Sequence, residues 1–427
     1  MTAGVTRSGV THSGAATAAL QPYSCGMHIL RGIVPALLVA LAVGCSSSES
    51  GGPAADGGLP TGDGGPGADG GPGPGSDGGD AGTSPTCTVL GTNAIANEPK
   101  QLSNLEVTAT SVVFLSVPDG AAPPASIEKM NLDGTGRTTL YTSAGDRRIH
   151  SMKVQGDVAY FFETDNAATI PVDELWSIPL AGGTPTRVGT VSFDGPRFIG
   201  SDAANLYVAY DAAAANAIHF DRVVLASGTV ENAALLPDRA GANMTSITGN
   251  DVFFWAAKTG ADANVADIFR FDKTATAAAP TALPGGVDAL CDIRTAGLFS
   301  TPTKVACGFS GLNAYGHDGS GLSPLIPKDL THLGPNVLVG SDAETLYVFN
   351  REKALQGVGT IVKISSSGGA ITPVACDLST LQNRLVDASF PVQTEYEVTV
   401  GATDVYWIEK RQSGGAPAAW FVRHAPK

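Results

Sequence analysis

The sequence predicts an all-β fold made of repeated four-stranded sheets, and three observations indicate it. The phrase GSDAANLYV at residues 200–208 returns as GSDAETLYV at residues 340–348. An aliphatic residue followed by aromatic residues recurs six times, and a seventh copy without aromatic residues begins at residue 304; the intervals between Val112 and Val405 average about 49 residues. No helical periodicity of any length interrupts these runs. Units of roughly 40 to 50 residues with four short strands predict a seven-bladed β-propeller.

The repeated unit reads as strand, tight turn, strand, variable loop, strand, hairpin turn and strand. Apolar residues alternate within the strands, and Gly-containing turns such as LDGTG at 132 precede the fourth strand. One such sheet leaves two apolar faces in water, so closing a ring of sheets buries both faces of each. The fifth copy, KVACG at 304, is weak, and six blades is therefore the alternative.

The recurring aromatic residues are predicted to pack between blades rather than to line a channel. A packing position repeats from unit to unit, whereas a ligand site breaks the symmetry. Two of the six follow the aliphatic residue by two positions and four follow it by one, which predicts opposite faces for the two groups. The first group is Phe114 and Tyr160, and the second is Tyr207, Phe253, Tyr347 and Tyr406.

The last unit is too short to supply its own fourth strand. Its third strand, AWFVR at 419, runs nearly to Lys427. The stretch CTVLGT at 87–92 is predicted to supply that missing outer strand, so that the two ends of the repeat region pair and close the ring.

The N-terminal 86 residues carry no repeat and divide into a targeting region and a linker. Residues 1–44 read as a signal peptide region whose true start is Met27, with Arg31 before an apolar stretch. Residues 45–86 are rich in Gly, Pro and Asp and lack large apolar side chains, which predicts a disordered tether with a reach of roughly 35 Å. Residues 87–427 form the propeller domain.

The segment Leu41-Ala42-Val43-Gly44-Cys45 resembles the bacterial lipobox. The resemblance implies that the Cys45 thiol receives a diacylglyceryl group, that cleavage occurs before Cys45, and that the new N-terminus is acylated further, for example with palmitate. An ordinary signal peptide with an incidental Cys is the alternative.

Together, these features are similar to those of bacterial lipoproteins of myxobacterial type that carry a YVTN/TolB-type or quinoprotein-like β-propeller. The resemblance covers about residues 88–427 and implies a monomer anchored in the cell envelope. The implied location is the outer membrane, on its periplasmic or surface-exposed face. Trp-Asp dipeptides and the Trp- and Gly-containing motifs of quinone-dependent dehydrogenases are absent, which argues against a quinone cofactor.

The cysteines of the propeller region are predicted to form disulfides, since their number is even in an exported domain. Cys291 and Cys307 fall in neighbouring strands of unit five, which leaves Cys87 to pair with Cys376. A metal site made of the four cysteines is the rival interpretation, although no CxxC spacing supports it. Cys25 precedes Met27 and does not reach the mature protein.

The sequence contains few residues or motifs that indicate catalysis or ligand binding. The absence of a Lys/Arg cluster excludes a nucleic-acid footprint. The mature region has no HExxH or GxSxG motif, so no catalytic, cofactor-binding or metal-binding residue is assigned. The segment DNAATIPVDE at 165–174 is the best isolated cation candidate and keeps a structural calcium ion open. Histidines outside the targeting region are His150, His219, His317, His332 and His424.

Two functions are compatible with these features. The first is a lipid-anchored binding or scaffold module that recognises a protein, a glycan or another envelope component through one face of the ring. The second is a metal-dependent hydrolase or lactonase with its site in the central channel. The second needs inward carboxylates from several units, and the repeat positions offer mostly apolar or small residues.

Overall fold

The computed structural model describes residues 94–117, 124–168, 172–193, 195–212, 217–258, 266–284, 297–308, 311–326, 336–350, 358–379, 398–411 and 419–427. Within these residues all regular elements are β-strands, arranged as seven antiparallel four-stranded sheets. The predicted seven-bladed propeller is confirmed. The weak fifth unit forms a complete sheet, which excludes six blades.

Six blades follow the chain from the inner to the outer strand. Blade 1 comprises β2 (Gln101–Val107), β3 (Ser111–Val117), β4 (Ser126–Asn131) and β5 (Thr138–Thr142). Blade 2 comprises β6 (Arg147–Gln155), β7 (Val158–Asp165), β8 (Asp173–Pro179) and β9 (Thr186–Phe193). Blade 3 comprises β10 (Arg197–Ser201), β11 (Asn205–Ala212), β12 (Ala217–Val224) and β13 (Thr229–Pro237).

The next three blades repeat this order. Blade 4 comprises β14 (Arg239–Thr248), β15 (Asp251–Lys258), β16 (Ala266–Asp272) and β17 (Thr281–Ala282). Blade 5 comprises β18 (Gly297–Ser300), β19 (Lys304–Gly308), β20 (Leu312–Gly316) and β21 (Ser323–Ile326). Blade 6 comprises β22 (Asn336–Asp342), β23 (Thr345–Asn350), β24 (Val358–Ser365) and β25 (Thr372–Ser379).

Blade 7 is made from both ends of the propeller domain. It comprises β26 (Val398–Val400), β27 (Asp404–Arg411), β28 (Ala419–Pro426) and, as its outer strand, β1 (Ala94–Glu98). Closure by an N-terminal strand is therefore confirmed; the closing strand is Ala94–Glu98, and residues 87–92, where it was predicted, lie outside the described residues. Ala96 of this strand is 9% exposed and packs into the core between blades 7 and 1.

The seven inner strands contact their neighbours in a closed circuit. Side chains hydrogen-bond across several of these contacts. Ser201 Oγ donates to Gln155 Oε1 at 2.8 Å, and Thr399 Oγ1 donates to the Leu105 carbonyl at 2.7 Å. Ser246 Oγ and Ser300 Oγ lie 2.8 Å apart. The polar inner-strand residues thus bind neighbouring blades together.

The antiparallel order separates the connections into two faces of the ring. Inner-to-second-strand turns and third-to-fourth-strand turns leave one face, which we call the turn face; the former have two or three residues. The other connections leave the opposite face, which we call the loop face. The three longest stretches between consecutive strands, residues 283–296, 327–335 and 380–397, each join strand ends that lie on the loop face. The strand β1 begins on the turn face.

Seven apolar clusters fill the ring, one at each contact between blades. Five of the six recurring aromatic residues are at most 3% exposed, and Tyr160 is half-buried against the cluster between blades 2 and 3. The prediction that these residues pack between blades is confirmed. Val158 contributes little to the core, since Ala159 takes its place.

The prediction of two oppositely oriented aromatic groups is confirmed for Phe114 and wrong for Tyr160. Phe114 packs toward the preceding blade, whereas Tyr207 packs toward the following one. Tyr160 also packs toward the following blade. The reason is register: Val154 pairs with Ala159 as Ser201 pairs with Leu206, which makes Tyr160 equivalent to Tyr207.

At the rim of the ring, the turn between the third and fourth strands of one blade contacts the outer strand of the preceding blade. A Cβ atom on Gly134 would lie 2.6 Å from the Ile95 carbonyl oxygen in β1, and one on Gly228 would lie 2.8 Å from the Gly189 nitrogen in β9. In blade 4 the same turn extends further, and Ala278 forms a parallel bridge to Ala234 in β13. The Gly-rich turns of the sequence therefore hold adjacent blades together at the rim.

Several predictions fall wholly or partly outside the described residues. The signal peptide, Met27, the lipobox with Cys45, and the linker all precede residue 94. Cys307 and Cys376 are both disulfide-bonded. Cys87 and Cys291 lie outside the described residues, so the pairs Cys291–Cys307 and Cys87–Cys376 stay predictions. In the part of the chain that the structure describes, no helix has the length and apolar character to cross a membrane.

Candidate functional site

One row of side chains in blade 3 departs from the pattern of the other blades. Tyr210 in β11 pairs with His219 in β12, and His219 pairs with Leu235 in β13. Directly paired residues on antiparallel strands share a face, so the three side chains form a row from the middle of the sheet to its outer edge. We call this row the radial strip. Leu235 is 40% exposed.

The equivalent positions in other blades carry different residues. The pair that matches Tyr210 and His219 is Ser116 and Ser126 in blade 1, and Ala256 and Asp267 in blade 4. The strip is therefore not a packing position imposed by the repeat. It lies near the loop-face end of β11, where long connections leave the ring.

Contacts between aromatic rings hold the radial strip against the core. The Tyr210 and His219 rings stack with centroids 5.0 Å apart and planes 15° apart. The ring of Phe193, from the last position of β9, makes a T-shaped contact with Tyr210, with centroids 5.7 Å apart. Phe193 in turn contacts Phe162 at 5.4 Å. The strip thus rests on the core between blades 2 and 3, which limits its freedom to move.

A buried carboxylate orients the tyrosine of the strip. Tyr210 Oη donates to Asp221 Oδ2 at 3.0 Å, and Asn232 Nδ2 lies 3.4 Å from Asp221 Oδ1. Burial raises the pKa of the Asp221 carboxyl above its usual range, although these hydrogen bonds and His219 oppose the change. Burial also raises the pKa of Tyr210. The phenol therefore stays protonated and donates a hydrogen bond to Asp221.

A second buried carboxylate, Asp173, faces the strip from blade 2. His150 Nε2 lies 2.7 Å from Asp173 Oδ1, the Thr164 hydroxyl donates to the same oxygen, and the Gly195 amide donates to Oδ2 at 2.9 Å. Burial acts to raise the pKa of Asp173, but these hydrogen bonds and the charge of His150 lower it overall. The carboxylate is therefore fully used by the protein itself.

Arginine–carboxylate pairs line the loop-face end of the inner strands in blades 2 to 4. The strands β6, β10 and β14 begin with Arg147, Arg197 and Arg239. Arg147 Nη1 lies 2.8 Å from Glu163 Oε2, and Arg239 Nη2 lies 2.8 Å from Asp267 Oδ2. Burial lowers the pKa of Arg197, and attraction to Asp211 opposes that change.

In the predicted cation segment at 165–174, two carboxylates face the guanidinium of Arg147: Glu174 Oε2 lies 3.8 Å from Nη1 and Asp165 Oδ2 lies 3.9 Å from Nη2. Glu174 Oε1 pairs with Arg187 Nη1 at 3.2 Å, and Asp165 Oδ1 accepts the Ala167 amide at 3.0 Å. Asp173 points instead to His150. Among the residues that the structure describes, no group of three or more His, Cys, Asp or Glu side chains is placed to hold a metal ion.

The structure distributes the histidines over the ring. His219 belongs to the radial strip, and His150 contacts Asp173 in blade 2. On the turn face, His317 Nδ1 lies 3.6 Å from Asp251 Oδ2, and His424 Nδ1 lies 3.2 Å from Asp404 Oδ1. His332 lies outside the described residues. Sequence reasoning did not find the strip, although the departure of AYDA at 209–212 and AIHFD at 217–221 from the other units was a usable signal.

The chain was compared with known proteins. No family model and no curated protein matches the sequence. A prolyl endopeptidase structure is 14% identical with a TM-score of 0.50, over 76% of this chain and 47% of that one. The β-propeller domain of the trilobed protease from Pyrococcus furiosus is 10% identical with a TM-score of 0.49, over 76% and 95% of the two chains.

A third similar structure is YCF48 bound to a D1 peptide, which is 11% identical with a TM-score of 0.42, over 78% of this chain and 98% of that one. At these identities the likeness shows the propeller fold alone. The chain spans about half the length of the prolyl endopeptidase that it matches.

Proposed function

We propose that this chain is a non-catalytic binding module of the bacterial cell envelope, tethered by a lipid on Cys45, that recognises a protein or glycan partner through its loop face. One observation carries the proposal. The longest connections and the radial strip, which breaks the repeat symmetry, belong to the same face of a rigid ring. Binding residues concentrate on loops that a rigid scaffold positions.

The tether supports the envelope part of the proposal. The lipobox-like segment ends at Cys45, and a Gly-rich linker separates it from the propeller. A flexible linker of this length lets the domain reach partners some distance from the membrane surface. The outer membrane is the proposed site of anchoring.

The hydrolase alternative has no specific observation in its favour. Polar side chains of the inner strands, such as Ser201, Ser246 and Thr399, are engaged in contacts between blades. Similarity in fold to a prolyl endopeptidase does not indicate that this chain has a hydrolase activity, because β-propellers support many functions.

The experiment that tests the proposal blocks each face separately. One variant carries an epitope tag in the loop-face connection 259–265, and the matched control carries it between Gly182 and Gly183 on the turn face, where a side chain would contact nothing within 4 Å. Each purified mature chain is saturated with an antibody fragment against the tag and then used to capture partners from solubilised cell envelopes.

We expect the fragment on the loop face to abolish capture and the fragment on the turn face to leave it unchanged. Equal capture with both fragments would contradict the proposal, as would metal-dependent turnover of an ester or lactone panel by the untagged chain.

A further inference from the structure

We propose that His317 forms a pH-dependent contact between blades 4 and 5, which holds the two blades together in mild acid and weakens as the pH rises. The contact is on the turn face, so it does not depend on the function proposed for the loop face. Three observations support it: the residues found at one repeated position, the atoms that face the His317 ring, and the charges around them.

The residue directly after the third strand occupies an equivalent place in every blade. In blades 1 to 3 it is a leucine that packs into the apolar cluster shared with the preceding blade. In blades 4 to 7 it is polar, and His317 is the one histidine of the set. In chain order the seven residues are Leu132, Leu180, Leu225, Lys273, His317, Ser366 and Lys427.

A lysine at this place joins its blade to a carboxylate of the preceding blade. Lys273 Nζ of blade 4 lies 3.0 Å from Asp202 Oδ2 of blade 3 and 5.1 Å from the centre of the Tyr207 ring. Lys427 of blade 7 pairs with Asp342 of blade 6. A cation next to a carboxylate and an aromatic ring is stabilised by both.

His317 takes the place of the lysine at the contact between blades 4 and 5. Its Nδ1 lies 3.6 Å from Asp251 Oδ2 of blade 4. Its ring lies 4.9 Å from the ring of Phe253, which is the recurring aromatic residue of blade 4 as Tyr207 is of blade 3. The partners thus match those of Lys273, but the cation is one that loses its charge in the neutral range.

Both nitrogens of the His317 ring face hydrogen-bond acceptors. Nε2 lies 2.9 Å from the Thr301 carbonyl oxygen, while Nδ1 faces the Asp251 carboxylate. A neutral imidazole carries a hydrogen on one nitrogen only, whereas the imidazolium carries one on each. A neutral ring that donates to Thr301 therefore points a lone pair at Asp251. Protonation converts this unfavourable contact into an ion pair between the two blades.

Among the charges around His317, Asp251 is the ionic partner. Arg270 Nε lies 2.8 Å from the other oxygen of Asp251, and Arg270 Nη1 donates to the His317 carbonyl at 3.5 Å. Arg270 is 40% exposed, whereas the His317 and Asp251 side chains are 20% and 19% exposed, so water screens the arginine more strongly. The other charged groups of the surrounding strands and turns are Asp272 and Lys273 in blade 4, Lys304 and Asp318 in blade 5, and Glu344 in blade 6. The three carboxylates of this set accept hydrogen bonds from nearby hydroxyl groups.

Hydrogen exchange of the backbone amides tests the inference. It is measured by mass spectrometry on the purified mature chain at pH 5.5 and pH 8, and each rate is corrected for the intrinsic effect of pH on exchange. Peptides that cover β15 and β19 report on blades 4 and 5. Peptides that cover β23 are the internal reference, because blade 6 is joined to blade 7 through Lys427, which stays charged at both pH values.

We expect β15 and β19 to be protected about fivefold more at pH 5.5 than at pH 8, and β23 to be protected equally at both. His317→Lys should keep the higher protection of β15 and β19 at both pH values. His317→Gln retains a donor for the Thr301 carbonyl but cannot ionise, so it should show the lower protection at both.

His424→Gln is the matched control, because His424 faces Asp404 of its own blade and should leave the response of β15 and β19 unchanged. Equal protection of β15 and β19 at the two pH values in the wild type would overturn the inference. A pH response that persists in His317→Gln, or one that disappears in His424→Gln, would overturn it as well.

Discussion

At the scale of single residues, the aspartates of the turn face join neighbouring blades. Asp202 Oδ1 accepts the Ala204 and Asn205 amides at 3.0 Å, as expected for a residue that closes a turn. Asp202 Oδ2 also accepts Tyr207 Oη at 2.7 Å and Lys273 Nζ of blade 4 at 3.0 Å. In blade 6 the equivalent Asp342 pairs with a lysine of blade 7, the following blade. The repeated Asp is therefore both a turn residue and a contact between blades.

Asp202→Asn should destabilise the protein near neutral pH and have little effect in strong acid. Burial raises the Asp202 pKa, but hydrogen bonds from Tyr207, Lys273 and Ala204 lower it overall to about 2. A lowered folded-state pKa stabilises the protein above the unfolded value, roughly 4, and this stabilisation is lost as pH falls from there toward 2. Because Asp202 is partly exposed, we expect a cost of about 1 kcal/mol at pH 7.

Urea unfolding at pH 7 and at several pH values down to 2 measures this difference. Asp133→Asn is the control, because Asp133 accepts hydrogen bonds from Thr135 within its own turn. A difference in the free energy of unfolding between wild type and Asp202→Asn that stays constant from pH 7 to pH 2 would rule out a stabilising role for the ionised Asp202 carboxylate.

At the scale of elements, ring closure depends on a turn of blade 1 as well as on strand pairing. Gly134 has φ of +83° and lies against Ile95 in the closing strand β1. An added Cβ would approach the Ile95 carbonyl oxygen to 2.6 Å, closer than such atoms pack. The turn and the strand must therefore move apart if any side chain is placed at this position.

Gly134→Ala should loosen β1 and lower the stability of the whole ring. We expect a cost of about 2–3 kcal/mol, of which about 1 reflects positive φ and the remainder the clash. Gly145→Ala is the matched control, because Gly145 has φ of +56° and nothing within 4 Å of an added Cβ. Hydrogen exchange of the amides in Ala94–Glu98 should accelerate in Gly134→Ala. Equal protection in both variants would contradict this role of the turn.

The strands show how much of the fold could be predicted from the sequence. Alternation and Gly-containing turns predicted four strands in each unit, because these patterns depend on local geometry. The short last unit indicated that an N-terminal strand must close the ring, but not which residues form it, and the strand that pairs with β28 is Ala94–Glu98 instead of residues 87–92. Tyr160 was assigned the wrong face because the strand register, and not the spacing from Val158, decides orientation.

The radial strip was beyond sequence reasoning for the same reason. Tyr210, His219 and Leu235 are spread over 26 positions, and only the pairing of three strands places them in one row. No motif marks such a row. A departure from repeat symmetry is visible in the letters, but its geometry depends on register.

At the scale of the whole molecule, the proposed lipid anchor can be tested apart from the ring. Cys45→Ser should shift the protein from the membrane fraction to the soluble fraction, because the modified thiol is the proposed anchor. Cys25→Ser is the matched control and should change nothing, since Cys25 precedes the proposed start at Met27. Fractionation of cells expressing each variant measures the outcome. Membrane retention of Cys45→Ser would refute lipid anchoring.

The direction of β1 has a mechanical consequence. The strand starts at Ala94 on the turn face and runs toward the loop face beside β28. A force that pulls Ala94 away from the turn face along the axis of the strand therefore loads the hydrogen bonds between β1 and β28 together, in shear, instead of breaking them one after another.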